Sequence, residues 1–127
     1  MGARVMTGRL EEGEQRAVID WWAYRCKQHG LPEFTLFHVP NGGLRHKSTA
    51  GRLKSQGVRR GIPDLLLMVP RGHLHGLAIE MKSERGRPTD AQLIVHAWML
   101  AAGWRVEVCY SADAAINAIT SYLSAST

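Results

Sequence analysis

Apolar and polar positions along the chain change period several times, and each change marks an element. Over residues 10–29 the spacing is helical: Val18, Trp22 and Arg25 lie along one stripe with Ile19 and Cys26 beside it, and Gly30 and Pro32 supply a stop. Phe34-Thr35-Leu36-Phe37-His38-Val39 alternates as a strand does and ends at Pro40-Asn41-Gly42-Gly43. That loop either makes a tight turn or, through its glycines and Asn41, approaches a phosphate backbone closely. Residues 47–56 read as a short basic helix or a loop. Two short apolar runs follow, Leu65-Leu66-Leu67-Met68-Val69 behind Asp64 and Leu77-Ala78-Ile79 ahead of Glu80-Met81-Lys82. Bounded by Gly and Pro, they predict buried strands over residues 64–69 and 77–82.

The second half of the chain repeats the alternation of helix and strand. Thr89-Asp90-Ala91-Gln92 fits a capping box, with Thr89 as N-cap and Gln92 reaching back. The helix it opens should reach Ala102 and stop at Gly103, with Leu93, Ala97 and Leu100 as its inner stripe and His96 and Trp98 unassigned. Residues 104–110 alternate as a strand. Ser111 then caps a last helix whose inner face is Ala114, Ala115, Ala118, Ile119 and Tyr122. The order of elements predicts a small α/β domain with a mixed central sheet.

Composition narrows the partner more than the fold. The 127 residues make one domain, 1–127, with residues 1–9 expected to be flexible. Apolar content of 45% and charged content of 21% are ordinary globular values. The net charge of +5 suits a polyanion, and its distribution is more telling than its size. Between Phe34 and Pro63 no acid occurs, whereas Arg45, Lys47, Arg52, Lys54, Arg59 and Arg60 do. That basic stretch leads directly into Asp64. Cys26 and Cys109 have no metal-binding spacing and read as buried, reduced thiols. No signal peptide or membrane-length apolar run is visible, so a cytoplasmic protein is expected, in a bacterial or phage-infected cell.

The candidate chemistry lies where the two apolar strands meet charge. Glu80 follows Asp64 by sixteen residues. If the strands pair through the turn at residues 71–76, both carboxylates and the Lys82 amine converge at one end of the sheet. Asp64 alone is adequate as a turn residue, and Glu80-x-Lys82 alone as a salt bridge. Together they form a cluster of charge at a core rim, costly unless a divalent cation is held there. That combination is what metal-dependent phosphodiester hydrolysis requires. In the first helix, Glu11, Glu14 and Gln15 project onto the side of Val18 at spacings of seven, four and three, so an acid there either favours the helix dipole or approaches the metal. Gln92 either caps its helix or points to the site. His73-x-His75 could offer two imidazoles to zinc, but it sits in a Gly-flanked turn with no third ligand nearby, and a solvated hairpin is the simpler reading.

Pro63-Asp64, Glu80-x-Lys82 and Gln92, on this order of elements, resemble the PD-(D/E)XK nuclease superfamily. Glu14-Gln15, Pro40-Asn41-Gly42-Gly43, Gly57-x-x-x-Gly61-x-Pro63-Asp64, Gly76-Leu-x-Ile-Glu80-Met-Lys82 and Gly86 six residues before Gln92 resemble the virus-type replication-repair nuclease family, VRR-NUC. The resemblance implies a restriction-endonuclease-like αβββαβ core with a mixed central sheet flanked by helices. It implies Mg²⁺ or Mn²⁺ on Asp64, Glu80, the Met81 backbone carbonyl and a first-helix acid, for which Glu14 is preferred over Glu11. Lys82 would orient the attacking water or stabilise developing charge, and Gln92 would support Lys82 or the water. Asn41, Gly42, Arg45, Lys47, Arg52, Lys54, Arg59 and Arg60 are the expected nucleic-acid contacts.

The function expected on these grounds is a structure-specific DNA endonuclease resembling a Holliday-junction resolvase in replication, repair or recombination. The alternatives are a non-catalytic DNA-binding module and a nuclease acting on flaps or RNA. Because one site cuts one strand, paired cuts at a four-way junction imply a homodimer. Trp21 and Trp22, adjacent on the first helix, cannot both face one core, and one of them is the expected interface anchor.

Overall fold

A computed structural model describes residues 3–40 and 47–125, with side chains from residue 11 and, beyond the gap, from residue 51. The chain opens with a long helix, α1 (Ala3–Arg25), that continues as a 3₁₀ turn over Cys26–His29. Gly30 ends it in the left-handed region, at φ 69°. The helix thus starts seven residues before the periodicity becomes readable at Leu10. Strand β1 (Leu36–His38) is shorter than expected, because Glu33–Thr35 form a 3₁₀ turn that leaves Phe34 exposed. Lys47–Ser55 is helical, α2, which settles helix against loop. Strands β2 (Leu65–Leu67) and β3 (Leu77–Met81), helix α3 (Asp90–Ala101), strand β4 (Arg105–Cys109) and helix α4 (Ala112–Ser124) complete the order.

The four strands form one sheet in the order β1-β2-β3-β4, antiparallel across the first two junctions and parallel across β3 and β4. The hairpin between β2 and β3 turns at Arg71 and Leu74, which exchange both backbone hydrogen bonds. Its register pairs Leu65 with Ile79, so the next step along the ladder sets Asp64 opposite Glu80. His73 and His75 lie at the other end of this hairpin, away from the carboxylates. Cys26 and Cys109 are both buried and free.

Alternation along β3 divides the molecule into layers. Leu77, Ile79 and Met81 enter the main core with Leu65, Leu67, Val18 and Trp22 of α1, and Ile119 and Tyr122 of α4. Ala78 and Glu80 point to the opposite face, where α3 packs. The core contains Trp22, 1% exposed, whose indole N–H donates to the Glu33 carbonyl at 3.0 Å. Trp21 packs half-buried against the same cluster, its ring centroid 5.9 Å from that of Trp22. Both tryptophans therefore belong to the fold, and neither is the exposed anchor expected on α1. Arg25, placed on the inner stripe by spacing, is exposed, and Cys26 takes the inner position. On α4 the buried side chains are Ala112, Ala115, Ile119, Tyr122 and Leu123, while Ala114 is exposed.

The largest departure is α3. Leu93, Ala97 and Leu100 face solvent, and the inner side is made by buried His96 with half-buried Gln92, Val95 and Met99. Apolar residues surround this helix on nearly every side, so its sequence carries no phase from which an inner face could be read. The polar pair Gln92 and His96 sets the phase instead, by seeking Glu80.

Candidate active site

Asp64 stands at the mouth of β2 because its flanks hold it there. Gly61 turns at φ 85° with Ala91 of α3 against it: a Cβ added there would meet the Ala91 carbonyl oxygen at 2.6 Å. Pro63 is buried and stiffens the approach. The Asp64 carbonyl accepts the Val39 N–H at 2.8 Å and the His38 Nδ1–H at 2.9 Å, tying the residue to β1. Its carboxylate accepts the Met81 N–H through Oδ2 at 2.8 Å, which fixes it across the ladder from Glu80.

Glu80 is the buried charge-bearing group of the site, 1% exposed. Burial, followed by a hydrogen bond to the Asp64 carboxylate and the repulsion of its charge, raises the Glu80 carboxyl from 4.5 to about 9. The pair therefore shares a proton at neutral pH. The Lys82 ammonium, half-buried, pulls in the opposite direction, and Glu11 adds a smaller repulsion. Two residues of α3 complete the enclosure. Gln92 Nε2 donates to Glu80 Oε2 at 3.2 Å, and His96 Nε2 lies 3.2 Å from Glu80 Oε1. Burial and the Lys82 charge lower the His96 pKa, so this contact is a hydrogen bond to a neutral imidazole rather than an ion pair.

Gln92 does both of the things its position allowed. Its Oε1 accepts the Thr89 N–H at 2.8 Å and its backbone N–H donates to Thr89 Oγ1 at 3.2 Å, a complete capping box, while Nε2 serves Glu80. His96 is the residue that sequence reasoning left unassigned. Its only signal was position, four residues after Gln92 on the same face of α3.

The first-helix acids separate. Glu14 Oε1 accepts the Ala112 N–H at 3.2 Å, so its carboxylate serves the N-terminus of α4 beside the Ser111 cap. Glu11 is the acid of α1 whose charge acts on Glu80. Among the expected nucleic-acid contacts, Arg52, Lys54, Arg59 and Arg60 are exposed, the last two on the loop into Asp64. Asn41, Gly42 and Arg45 lie outside the described residues, and Lys47 is described only as the first residue of α2.

No three His, Cys, Asp or Glu side chains form a ready-made metal cage among the described residues. Mg²⁺ does not need one: it keeps several waters and is held by one or two carboxylates. The buried Glu80 carboxyl, its pKa raised by burial and by the neighbouring Asp64 carboxylate, forms with Asp64 a hard-oxygen donor set that such a cation fits.

The comparisons with known proteins agree with this geometry. Residues 10–113 match the VRR-NUC domain family. A solved structure described as a VRR_NUC domain protein superposes with a TM-score of 0.75 at 30% identity, covering 92% of each chain. No curated protein matches. The matched span runs from the first-helix acids through β2, β3 and α3, and so contains every residue of the carboxylate cluster. The chain belongs to the VRR-NUC family, nucleases of the PD-(D/E)XK type.

Proposed function

We propose that this chain is a divalent-cation-dependent, structure-specific DNA endonuclease that acts as a homodimer on branched DNA, the four-way junction above all. The observation that carries the chemistry is the buried Glu80 carboxyl, hydrogen-bonded to the half-buried Asp64 carboxylate and set beside Lys82 where the two strands end. Asp64, Glu80 and the Met81 carbonyl would hold Mg²⁺ or Mn²⁺, with Glu11 rather than Glu14 as the α1 acid. When bound, the cation supplies Lewis-acid polarisation of the phosphodiester and a lower pKa for the attacking water.

The protein's own groups do the rest. Lys82 orients the nucleophile and offsets negative charge that builds on the phosphate. Gln92 and His96 hold both oxygens of Glu80, so the carboxylate enters the reaction already oriented. Arg52, Lys54, Arg59 and Arg60 lead the phosphate backbone toward Asp64. A shape-read substrate suits a chain whose exposed basic residues offer contacts to the phosphate backbone. The choice of branched DNA and of a pair of chains is supported by family membership and by the need for two symmetric cuts.

The test is cleavage of duplex, flap, splayed-arm and four-way-junction DNA and a matched RNA junction, with Mg²⁺, Mn²⁺ or chelator. Asp64→Ala and Glu80→Ala should abolish cleavage and weaken cation binding; Lys82→Ala should abolish cleavage and leave cation binding in place. Full activity of Lys82→Ala, or cleavage in chelator, would overturn the mechanism. Binding of every branched DNA without cleavage under any cation would make the chain a DNA-binding module.

A further inference from the structure

Strands β1 and β2 are apolar on both of their faces. Leu36, Leu65 and Leu67 enter the main core. The side chains that alternate with them, Phe37 on β1 and Leu66 on β2, with Met68 one residue past β2, point to the face that carries Asp64 and Glu80. Met68 keeps the alternation because its N–H still donates to the Thr35 carbonyl, at 2.8 Å. Cover on this face stops partway across one row of paired residues, Phe37–Leu66–Ala78–Val106. Ala78 is fully buried and Leu66 half-buried, but Phe37 is 36% exposed, and Met68, in the next row, 49%. A sheet face open to water ordinarily carries polar side chains in alternation with the core residues. Here the open positions are apolar, and Asp64, the polar residue beside them, belongs to the carboxylate site.

We propose that the strip of Phe37, Leu66 and Met68 is a base-holding subsite, which takes the unpaired base of a nucleotide beside the scissile phosphate. It rests on the nuclease reading above and names what that site selects: a strand whose stacking a branch has interrupted. Position on the sheet carries the assignment. Val39 stands opposite Asp64, so Phe37 is the diagonal neighbour of Asp64, about 7–8 Å away, and Leu66 lies two residues along the same strand. Bases of a stacked strand follow one another at about 3.4 Å. A phosphate held at Asp64 and Glu80 therefore brings the base of its own nucleotide, or of the next, within reach of the Phe37 ring. Chemistry chooses the occupant. The strip is uncharged and has no hydrogen-bonding side chain, whereas exposed Arg59 and Arg60 lie on the loop into Asp64. Positive charge for the backbone beside an apolar surface for the base is what single-stranded nucleic acid needs, and any base has a face that can lie on an aromatic ring. The bases of a duplex are stacked on one another and present only their edges, so the strip gains nothing from them. Preference for interrupted stacking thus arises at the cut itself, with no sequence read.

Single-turnover cleavage and equilibrium binding of flap and splayed-arm DNA test it on the full chain, with one abasic nucleotide moved stepwise through the positions around the branch. The proteins compared are the wild type, Phe37→Thr, Met68→Thr and Phe37→Trp. Threonine keeps a strand-forming residue at each exposed position and removes the platform. For the wild type, one abasic position should lower cleavage and affinity by about 10-fold, the usual worth of a stacked base. Phe37→Thr should show the same loss on intact DNA, and the abasic nucleotide should then cost it less than about two-fold more, as expected when both changes remove one contact. Phe37→Trp should restore the response. Affinity for a fully paired duplex, and the rise in melting midpoint with Mn²⁺, should match wild type in every variant. Should Phe37→Thr fold poorly by circular dichroism and melting, Met68→Thr decides, with the same pattern of loss. A wild type indifferent to the abasic nucleotide at every position, or losses that add in full in the variants, overturns the proposal. Cleavage with that indifference keeps the nuclease reading and removes the subsite. Binding that depends on one base and on Phe37, with no cleavage under any cation, keeps the subsite and removes the nuclease reading.

Discussion

The side-chain amide of Gln92 serves two partners at once, its oxygen taking the Thr89 N–H and its nitrogen donating to Glu80. The two duties can be separated by one substitution. Glutamate closes a capping box as well as glutamine, but it puts a second negative oxygen where Glu80 has a donor. Gln92→Glu should therefore keep α3 capped, with any destabilisation confined to the new repulsion beside Glu80, while cleavage falls roughly 10–100-fold, the usual cost of losing an orienting partner. Melting curves beside initial rates check it, and equal rates would deny Gln92 any hold on the site. The α1 acids should part in the opposite way. Glu11→Gln should reduce activity with little effect on stability, whereas Glu14→Gln, at the α4 N-terminus, should cost about 0.5–1 kcal/mol and leave most activity. The sequence alone could not rank this pair, because spacings of seven and four from Val18 put both acids on one side of α1. What separates them is the arrival of α4, ninety-eight residues later, to claim Glu14.

Helix α3 is the element on which the site depends, and Gly61 is where it rests against the loop of Asp64. Any side chain at Gly61 must both adopt a left-handed backbone and displace the Ala91 carbonyl, so Gly61→Ala should destabilise by about 1–3 kcal/mol. Because the displaced carbonyl lies one residue from Gln92, the same change should loosen the grip on Glu80, seen as weaker cation binding in the folded fraction. The paired strands and the caps of α3 and α4 were legible in the chain because each depends on neighbours within a few residues: Thr89 and Gln92, Ser111 and Ala114, the Gly-bounded runs around Asp64 and Glu80. The inner face of α3 was not legible, since exposed Leu93, Ile94, Trp98 and Leu100 outnumber Val95 and Met99, the apolar residues that turn inward. A helix with apolar residues on two sides gives no phase from which its inner face could be read. The short β1 escaped for a local reason: Phe34 and Thr35 alternate like strand residues, but the Thr35 hydroxyl and N–H both bond back to the Pro32 carbonyl and wind them into a turn.

At the scale of the whole molecule, charge and protons couple the fold to its surroundings. Arg52, Lys54, Arg59 and Arg60 should act on affinity and not on chemistry, so DNA binding should fall steeply with salt. Replacing Arg59 and Arg60 by Gln should lower the log–log salt slope by about one for each phosphate those side chains neutralise, and an unchanged slope would leave them as solvated surface. The Asp64–Glu80 pair has the less obvious consequence. With Glu80 at about 9 in the fold and an unfolded value near 4.5, the cation-free protein holds a proton that the unfolded chain has released across that interval. Its stability should then decline as pH rises from about 5 to 9, and Glu80→Gln should flatten the decline. Mg²⁺ or Mn²⁺ competes with that proton, so either ion should raise the melting midpoint more at pH 8 than at pH 6, and a hundredfold excess over its dissociation constant should add about 2.7 kcal/mol of stability. Identical midpoints with and without cation at pH 8 would contradict this account. Heat thus becomes a reporter that needs no nucleic acid in the tube: the order in which ions lift the melting curve ranks the chain's preference among them before any substrate is known.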